Sequence, residues 1–389
     1  MKITKTLSIG LLAVAFLLGA SARAEVIDVS LAPYSAVGDR ATDNLPALKS
    51  ALGAADDGDT LFFPSGDYRF ELTGAQIRIP AGVTLLGQKG ETKFHLLSSE
   101  ENGKHREFLR FSSGVTLEGL TIERAADFPL VMFPLFGELS DLTVRNCVIV
   151  GNKTSFPSKY CHAFQVGVGA VENVLFSRME IRNCSFGLFQ TNDATGSLKS
   201  MRVELSRFAE NTSSDLEFNS PRGEMRDITV SQCHFQDNLC KTPSAGFAVG
   251  FANVKNGKVE DCLIENYGSK GLHVEDRSEN IQLVGNVIRG GSLLQPNGVI
   301  MIVNDSRKVE VRDNIIDARP NTNKTHLILV TAGGDKFKNP SDVSVTENLL
   351  VNGPATRTWY LQRGSGPPPE GNVVIEPENE STETVKEED

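Results

Sequence analysis

The strongest constraint on this chain is a phrase that recurs down its middle. An alternating apolar stretch is followed by Cys or Asn, and then by one more apolar residue two positions on. It reads Leu142/Val144/Cys147/Ile149, Ile181/Cys184/Phe186, Val230/Cys233/Phe235, Val259/Cys262/Ile264, Leu283/Asn286/Ile288, Val311/Asn314/Ile316 and Val345/Asn348/Leu350. Ser206 takes the Cys/Asn slot between Val203 and Phe208, and Leu120 takes it in an earlier copy from Val115 to Ile122. A unit of this length with period-2 alternation, instead of a 3.6-residue rhythm, predicts parallel strands stacked as an all-β solenoid. Each coil of such a body touches only its neighbours, so one elongated unit can absorb the whole length.

The two ends read differently. Lys2 and Lys5, the apolar run Leu7 to Ala20 and the small-residue site Ala22-Arg23-Ala24 make residues 1–24 an export signal. No later run is long enough for a spanning helix. The mature chain is expected to be exported, periplasmic or extracellular. Loss of Lys2, Lys5 and Arg23 takes the net charge from −10 to −13. That argues against nucleic acid or an anionic membrane as partner, but leaves room for an acidic polysaccharide held in a locally basic groove. At the other end, Gly364-Ser-Gly-Pro-Pro-Pro precedes a run of acids to Asp389, and residues 366–389 read as a disordered acidic tail.

Export permits disulfides. Yet Cys147, Cys184, Cys233 and Cys262 occupy the repeated slot, where coils ~4.8 Å apart give a marginal bridging distance. A buried thiol ladder interchangeable with Asn is the expectation; Cys161 and Cys240 fall in loops, their pairing open.

Residues 25–70 form a separate entry segment. A short strand from Val26 to Val29 leads to Ala36-Val37-Gly38-Asp39-Arg40-Ala41-Thr42-Asp43-Asn44. A helix is expected from near Thr42 or Asp43, capped by Thr42, Asp43 or Asn44, with Leu45, Leu48 and Leu52 on one face. Gly58-Asp-Thr-Leu-Phe-Phe-Pro-Ser-Gly-Asp-Tyr68 follows. With the repeats, this segment resembles the N-terminal part of the pectate-lyase-like superfamily of right-handed parallel β-helices, over about residues 26–360. The Gly-x-x-x-x-Phe-Pro-x-Gly-x-Tyr stretch matches closely. The Gly-Asp-Gly-x-x-Asp-Asp stretch departs, with Arg40 for the last Gly and Asn44 for the second Asp. The resemblance implies an N-terminal capping helix on an open solenoid end, then a right-handed β-helix of about ten coils over residues 71–365. It also implies that ligands lie along the outer face of each coil's third strand, beside the variable loops.

Those third strands are expected at Ala163–Val168, Gly187–Asn192, Asp215–Ser220, Gly246–Phe251, Gly271–Asp276, Gly298–Val303, His326–Val330 and Thr358–Gln362. Alternation puts Phe247/Val249, Val299/Met301 and Leu327/Leu329 inside. It puts Gln165, Phe189, Glu217/Asn219, Ala248/Gly250, His273/Glu275, Ile300/Ile302 and Ile328/Val330 outside.

The polar outward group is Asp215, Glu217, Asn219, His273 and Glu275. Two coil spacings place Glu217 and Glu275 ~9.6 Å apart over a bare Ala248/Gly250 floor, close to the carboxylate separation an inverting glycosidase uses. On that reading Glu217 and Glu275 are acid and base in either order, and His273 tunes them. Asp215, Asn219, Arg222 and Lys241 would bind substrate. The same geometry suits elimination from a uronate, with Arg222 clamping the carboxylate and Lys241, Lys270, Tyr160, His162 or Tyr267 as base. No cofactor is required, although Asp215, Glu217 and Glu275 together could hold Ca2+.

The bland alternative is a solvated β-helix face on a non-catalytic surface or envelope protein that binds glycan or protein. The outward Ile300, Ile302, Ile328 and Val330 favour it. The superfamily's own signatures are missing: Thr191-Asn192-Asp193 and Gly271-Leu272-His273 only approach the polygalacturonase strings, and the pectate-lyase Arg-x-Pro-x-x-Arg is absent. The fold therefore carries over no single activity. The sugar, the linkage and the oligomeric state stay open.

Overall fold

The computed structural model describes residues 24–98, 105–190, 195–242, 244–334, 336–354, 356–361 and 371–375. The expected export signal, apart from Ala24, and the acidic end from Glu376 lie outside the described residues. So do Thr191, Asn192 and Asp193.

Three parallel sheets of twelve, thirteen and ten strands run along the molecule, each in strict chain order. Together they make a right-handed solenoid of about 11 turns, one more than expected. Right-handed crossovers follow from the twist of L-residue strands. The first sheet holds the strand before the Cys/Asn slot and the second the short strand after it. The third holds Cys161–Val166, Phe186–Gln190, Leu216–Asn219, Val249–Ala252, Leu272–Glu275, Gly298–Val303 and Thr325–Thr331, among others. Val373–Ile375 pairs with Leu349–Val351, so the solenoid runs past residue 365 into the segment expected to be tail.

A positive-φ residue makes the turn between the first and second strands: Asn146, Arg178, Leu205, Gln232, Asp261, Gly285, Asp313 and Glu347 all have φ between 51° and 69°. The slot follows each one. Its occupants are therefore Cys147, Met179, Ser206, Cys233, Cys262, Asn286, Asn314 and Asn348. Cys184 is a correction: Val148 pairs with Glu180, so Met179 holds the slot in that coil and Cys184 lies one turn further on. All six cysteines are free and buried, Cys161 and Cys240 included.

The slot side chains satisfy the backbone where strands change direction. Asn314 Oδ1 accepts from the Asn286 N–H at 2.9 Å, and its amide donates to the Leu283 and Arg312 carbonyls at 2.8 and 3.0 Å. Asn348 repeats this one coil on, and Asn372 once more. A thiol does the same job less fully, as at Cys262, whose sulfur accepts from the Cys233 N–H at 3.5 Å. Asn314→Ala leaves a buried N–H and two carbonyls unmatched and should cost about 2–4 kcal/mol. Asn314→Cys should cost less; equal denaturation midpoints for the two variants would refute this account of the ladder.

The entry helix is present but begins later than expected, at Leu45–Ala54, with Leu45, Leu48, Ala51 and Leu52 buried against the core. Asn44 stands at the N-cap position without capping. Its side chain accepts from the Val37 N–H at 2.7 Å and donates to the Val37 carbonyl at 2.9 Å, tying the preceding loop down.

Pairing in the third sheet corrects the side-chain register of two strands. Leu272 aligns with Ile300 and Val274 with Ile302, and these align in turn with Ile328 and Val330. The four aliphatics face inward, each at most 3% exposed. Met301 and Leu329 are the outward residues, both half-buried.

Candidate functional site

Register lays out the outer face of the third sheet. Glu217 pairs with Gly250 and Gly250 with His273, giving one outward column. Asn219 pairs with Ala252 and Ala252 with Glu275, giving a second column beside it. Glu217 and Glu275 are thus two coils apart and also two residues apart along the strand. Their Cα atoms sit roughly 12 Å from each other diagonally, not directly stacked as expected.

The Gly250 floor is not bare. A Cβ built on Gly250 would meet Phe247 Cε2 at 2.1 Å, so the Phe247 ring lies flat on the outward side of that glycine. Phe247 was expected inside. Its ring is only 2% exposed and stands 5.3 Å from the His273 ring. The sequence cue was the glycine itself, which leaves space only an overlying ring can fill. Ala248, expected outside, is buried.

Charge gathers around this ring. Lys270 and His273 are buried, while Glu217 and Glu275 are half-buried and reach the surface. Burial pushes the Glu217 carboxyl up to about 7, against the pull of a Ser214 hydrogen bond and the Lys270 charge. Burial likewise pushes Glu275 up to about 7, helped by the negative charges of Asp276 and Glu217 and opposed by Lys270. Burial lowers the Lys270 ammonium, and the Glu275 and Glu217 charges act the other way. Burial, then Lys270, holds His273 well below the usual imidazole range, so its ring is neutral. Among the described residues neither His273 nitrogen has a hydrogen-bond partner; Glu275 Oε2 is 3.7 Å from Nε2. Two carboxyls raised toward neutrality, a cation that acts on both and an imidazole beside one of them can move protons to and from a bound molecule.

The other expected site residues divide. Asn219 is half-buried in the Glu275 column. Arg222 is exposed beyond the end of its strand. Lys241 is exposed on the rim of a separate cavity of about 560 Å3, with Thr154, Glu210, Asp237 and Leu239. Asp215 is corrected: it is 0% exposed. It accepts from Asn211 Nδ2 at 2.5 Å and from the Tyr267 hydroxyl. Burial raises Asp215 to about 7 despite those bonds and one from Asn238. Asp215 and Tyr267 form an internal network and face no ligand. The Asp215/Glu217/Glu275 cation site is therefore not assembled, and among the described residues no group of three His, Cys, Asp or Glu side chains is placed to hold a metal ion.

A pH test follows from Glu217. Its carboxyl keeps a proton in the fold up to about pH 7 but loses it near 4.5 in the unfolded chain. Between those values the folded state binds more protons, so this group's contribution to stability falls as pH rises. Glu217→Gln should therefore gain in thermal midpoint relative to the parent between pH 4.5 and pH 8. A difference that stays constant across that range would mean the carboxyl is not held protonated.

Comparison with known proteins places the fold. The family model for the right-handed β-helix region matches residues 165–350. No curated protein matches the chain. Among solved structures, the Dettilon tailspike protein is 11% identical with a TM-score of 0.59, over 90% of this chain and 68% of that one. The A-module of the Azotobacter vinelandii mannuronan C-5 epimerase AlgE6 is 16% identical at a TM-score of 0.51, over 90% of this chain and 99% of that one. The catalytic domain of a GH87 α-1,3-glucanase, solved with tetrasaccharides, is 12% identical at 0.50, over 86% of this chain and 66% of that one. At such identities the likeness is one of fold. No helix among the described residues is long and apolar enough to cross a membrane. Family model, strand topology and structural likeness agree that this chain folds as a right-handed parallel β-helix.

Proposed function

We propose that this is an exported carbohydrate-active β-helix protein that cleaves an acidic polysaccharide on the outer face of its third sheet. The observation that carries the reading is the cluster Glu217, Lys270, His273 and Glu275, which brings proton donors and acceptors into one partly buried patch open to the surface at the two carboxyls. Both carboxyls change charge near neutral pH, so one can be protonated while the other is ionised. Glu217 in its neutral form would protonate the departing glycosidic oxygen. Glu275, with His273 beside it, would take the proton from the attacking water or from the sugar ring carbon. Lys270 supplies the positive charge that makes an acidic sugar acceptable there. The β-helix neighbours that act on polysaccharides support the class of ligand.

The entry helix Leu45–Ala54 serves in this reading as a cap that keeps the first coil's strand edges from pairing with another chain. The competing reading, a non-catalytic binder, leaned on four outward aliphatics that in fact face the core.

The test is incubation of the mature chain with polygalacturonate, alginate, carrageenan, α-1,3-glucan and dextran, with Ca2+ and with chelator. New reducing ends and the ultraviolet absorbance of unsaturated uronates are followed together. Reducing ends alone would identify hydrolysis, and both together elimination. Cleavage by the parent and none by Glu275→Gln is the expected result; equal rates for the two would sink the assigned pair.

A further inference from the structure

One coil N-terminal to Glu217, the same outer face carries a run of aromatic rings with no role in proton transfer. Phe186 and Phe189 stack at 4.2 Å and 25°. The His162 ring stands edge-on to both, at 5.2 and 5.0 Å. Tyr160 lies 4.9 Å from His162, and its hydroxyl meets His105 Nδ1 at 2.8 Å. Tyr160 is 40% exposed, and Phe186 and Phe189 are half-buried. None of these three rings belongs to the buried core, and each keeps some surface open to solvent.

We propose that Phe186, Phe189 and Tyr160 form a sugar-stacking subsite that holds the pyranose ring next to the one presented to Glu217. The proposal rests on the reading of this face as a polysaccharide groove. Gln165 pairs with Phe189, and Leu188 with Leu216, so Phe189 adjoins Glu217 across one strand spacing of ~4.8 Å. A chain lying across the coils would meet the platform and the carboxylate in succession.

The occupant is a sugar because the platform is amphipathic. A pyranose offers an apolar face of C–H groups ringed by hydroxyls, which suits flat rings bordered by polar atoms. Gln165 and Tyr160 supply such atoms: the Gln165 amide, half-buried in register with Phe189, also bonds His162, and Tyr160 is exposed at the edge of the platform. Burial lowers the His162 imidazole to about 4, so at neutral pH it adds no charge to the platform. Sugar hydroxyls can bond such a polar border, and an apolar protein side chain would leave it unpaired.

The mature chain is titrated by affinity electrophoresis with the same five polysaccharides. Phe189→Ala and Tyr160→Ala should each weaken retention by the bound polysaccharide roughly three- to tenfold. Phe189→Tyr, which keeps a ring, should bind as the parent does. Glu217→Gln should lose cleavage while keeping the parent's affinity, which separates this subsite from the catalytic centre. Unweakened binding by both alanine variants, with parental thermal midpoints, would overturn the subsite while leaving the centre standing. Parental self-association that Phe189→Ala abolishes, with sugar retention unmoved, would also overturn it. Retention of none of the five by the parent would overturn subsite and groove together.

Discussion

Glu217→Gln is expected to lower polysaccharide cleavage by roughly 10^2- to 10^4-fold, the range for losing a positioned acid or base, with little change in affinity. The glutamine amide preserves shape and hydrogen bonding but has no proton to give near neutral pH. The pH dependence is the sharper part of this prediction. Burial raises Glu217 and Glu275 each to about 7, and the Glu217 charge adds to the rise at Glu275. Activity requires one proton on the pair. The parent should therefore show a bell centred near neutrality, falling at acid pH as both carboxyls protonate and at alkaline pH as both ionise. A profile flat from pH 5 to pH 9 would rule this pair out even if Glu217→Gln were inactive.

Arg124→Ala should produce the largest loss of stability. Arg124 is 0% exposed, a rare state for a cation. Nε donates to the Gly151 carbonyl at 2.8 Å, Nη1 to Phe128 at 3.0 Å and Lys159 at 3.3 Å, and Nη2 to Phe156 at 3.0 Å. The Phe156 ring lies 5.5 Å from the guanidinium carbon, and Asp127 Oδ1 is 3.7 Å from Nη1. One side chain thus organises the loop from Gly151 to Lys159, which leads directly into Tyr160 of the aromatic platform. Truncation removes a donor from four carbonyls, of which that of Lys159 keeps another in Lys153 Nζ, and opens a cavity, a loss of about 3–5 kcal/mol. Arg124→Lys should recover only part of it, because a single ammonium cannot span four acceptors. Denaturant midpoints and amide exchange over residues 151–160 read the effect. Parental exchange in that loop would show that the guanidinium does not hold it.

The repeat was legible because a coil must satisfy its own geometry every turn: alternating apolar residues fill a narrow core, and a slot side chain mends the backbone at the bend. What the slot rule lacked was its partner in the turn. The positive-φ residue before the slot sets the position, and most coils use Asn, Asp, Gln, Arg, Glu or Leu there instead of glycine. Cys184 therefore looked like a slot residue by type, whereas Met179 is one by place.

The inward and outward faces of Gly298–Val303 and Thr325–Thr331 failed for a related reason. When both faces of a strand are apolar, alternation carries no information, and only pairing with the neighbouring coil can set the register. That pairing turned Ile300, Ile302, Ile328 and Val330 inward and removed the apolar outer patch.

At the candidate site, the choice of face came from the family resemblance, and the nomination of Glu217, His273 and Glu275 on it then came from local alternation. The burial of Asp215 did not, because its partner Tyr267 is 52 residues away. Nor did Phe247 over Gly250, or the diagonal offset between the two glutamates. By itself, then, the sequence determined the solenoid, its strand order and the outer polar face, since these follow from a period within each coil. Only the tertiary structure decided which carboxyl is inside, which ring covers the floor and which charges share one partly buried patch. Those outcomes depend on the register between coils, and register is a contact between segments that no single segment encodes.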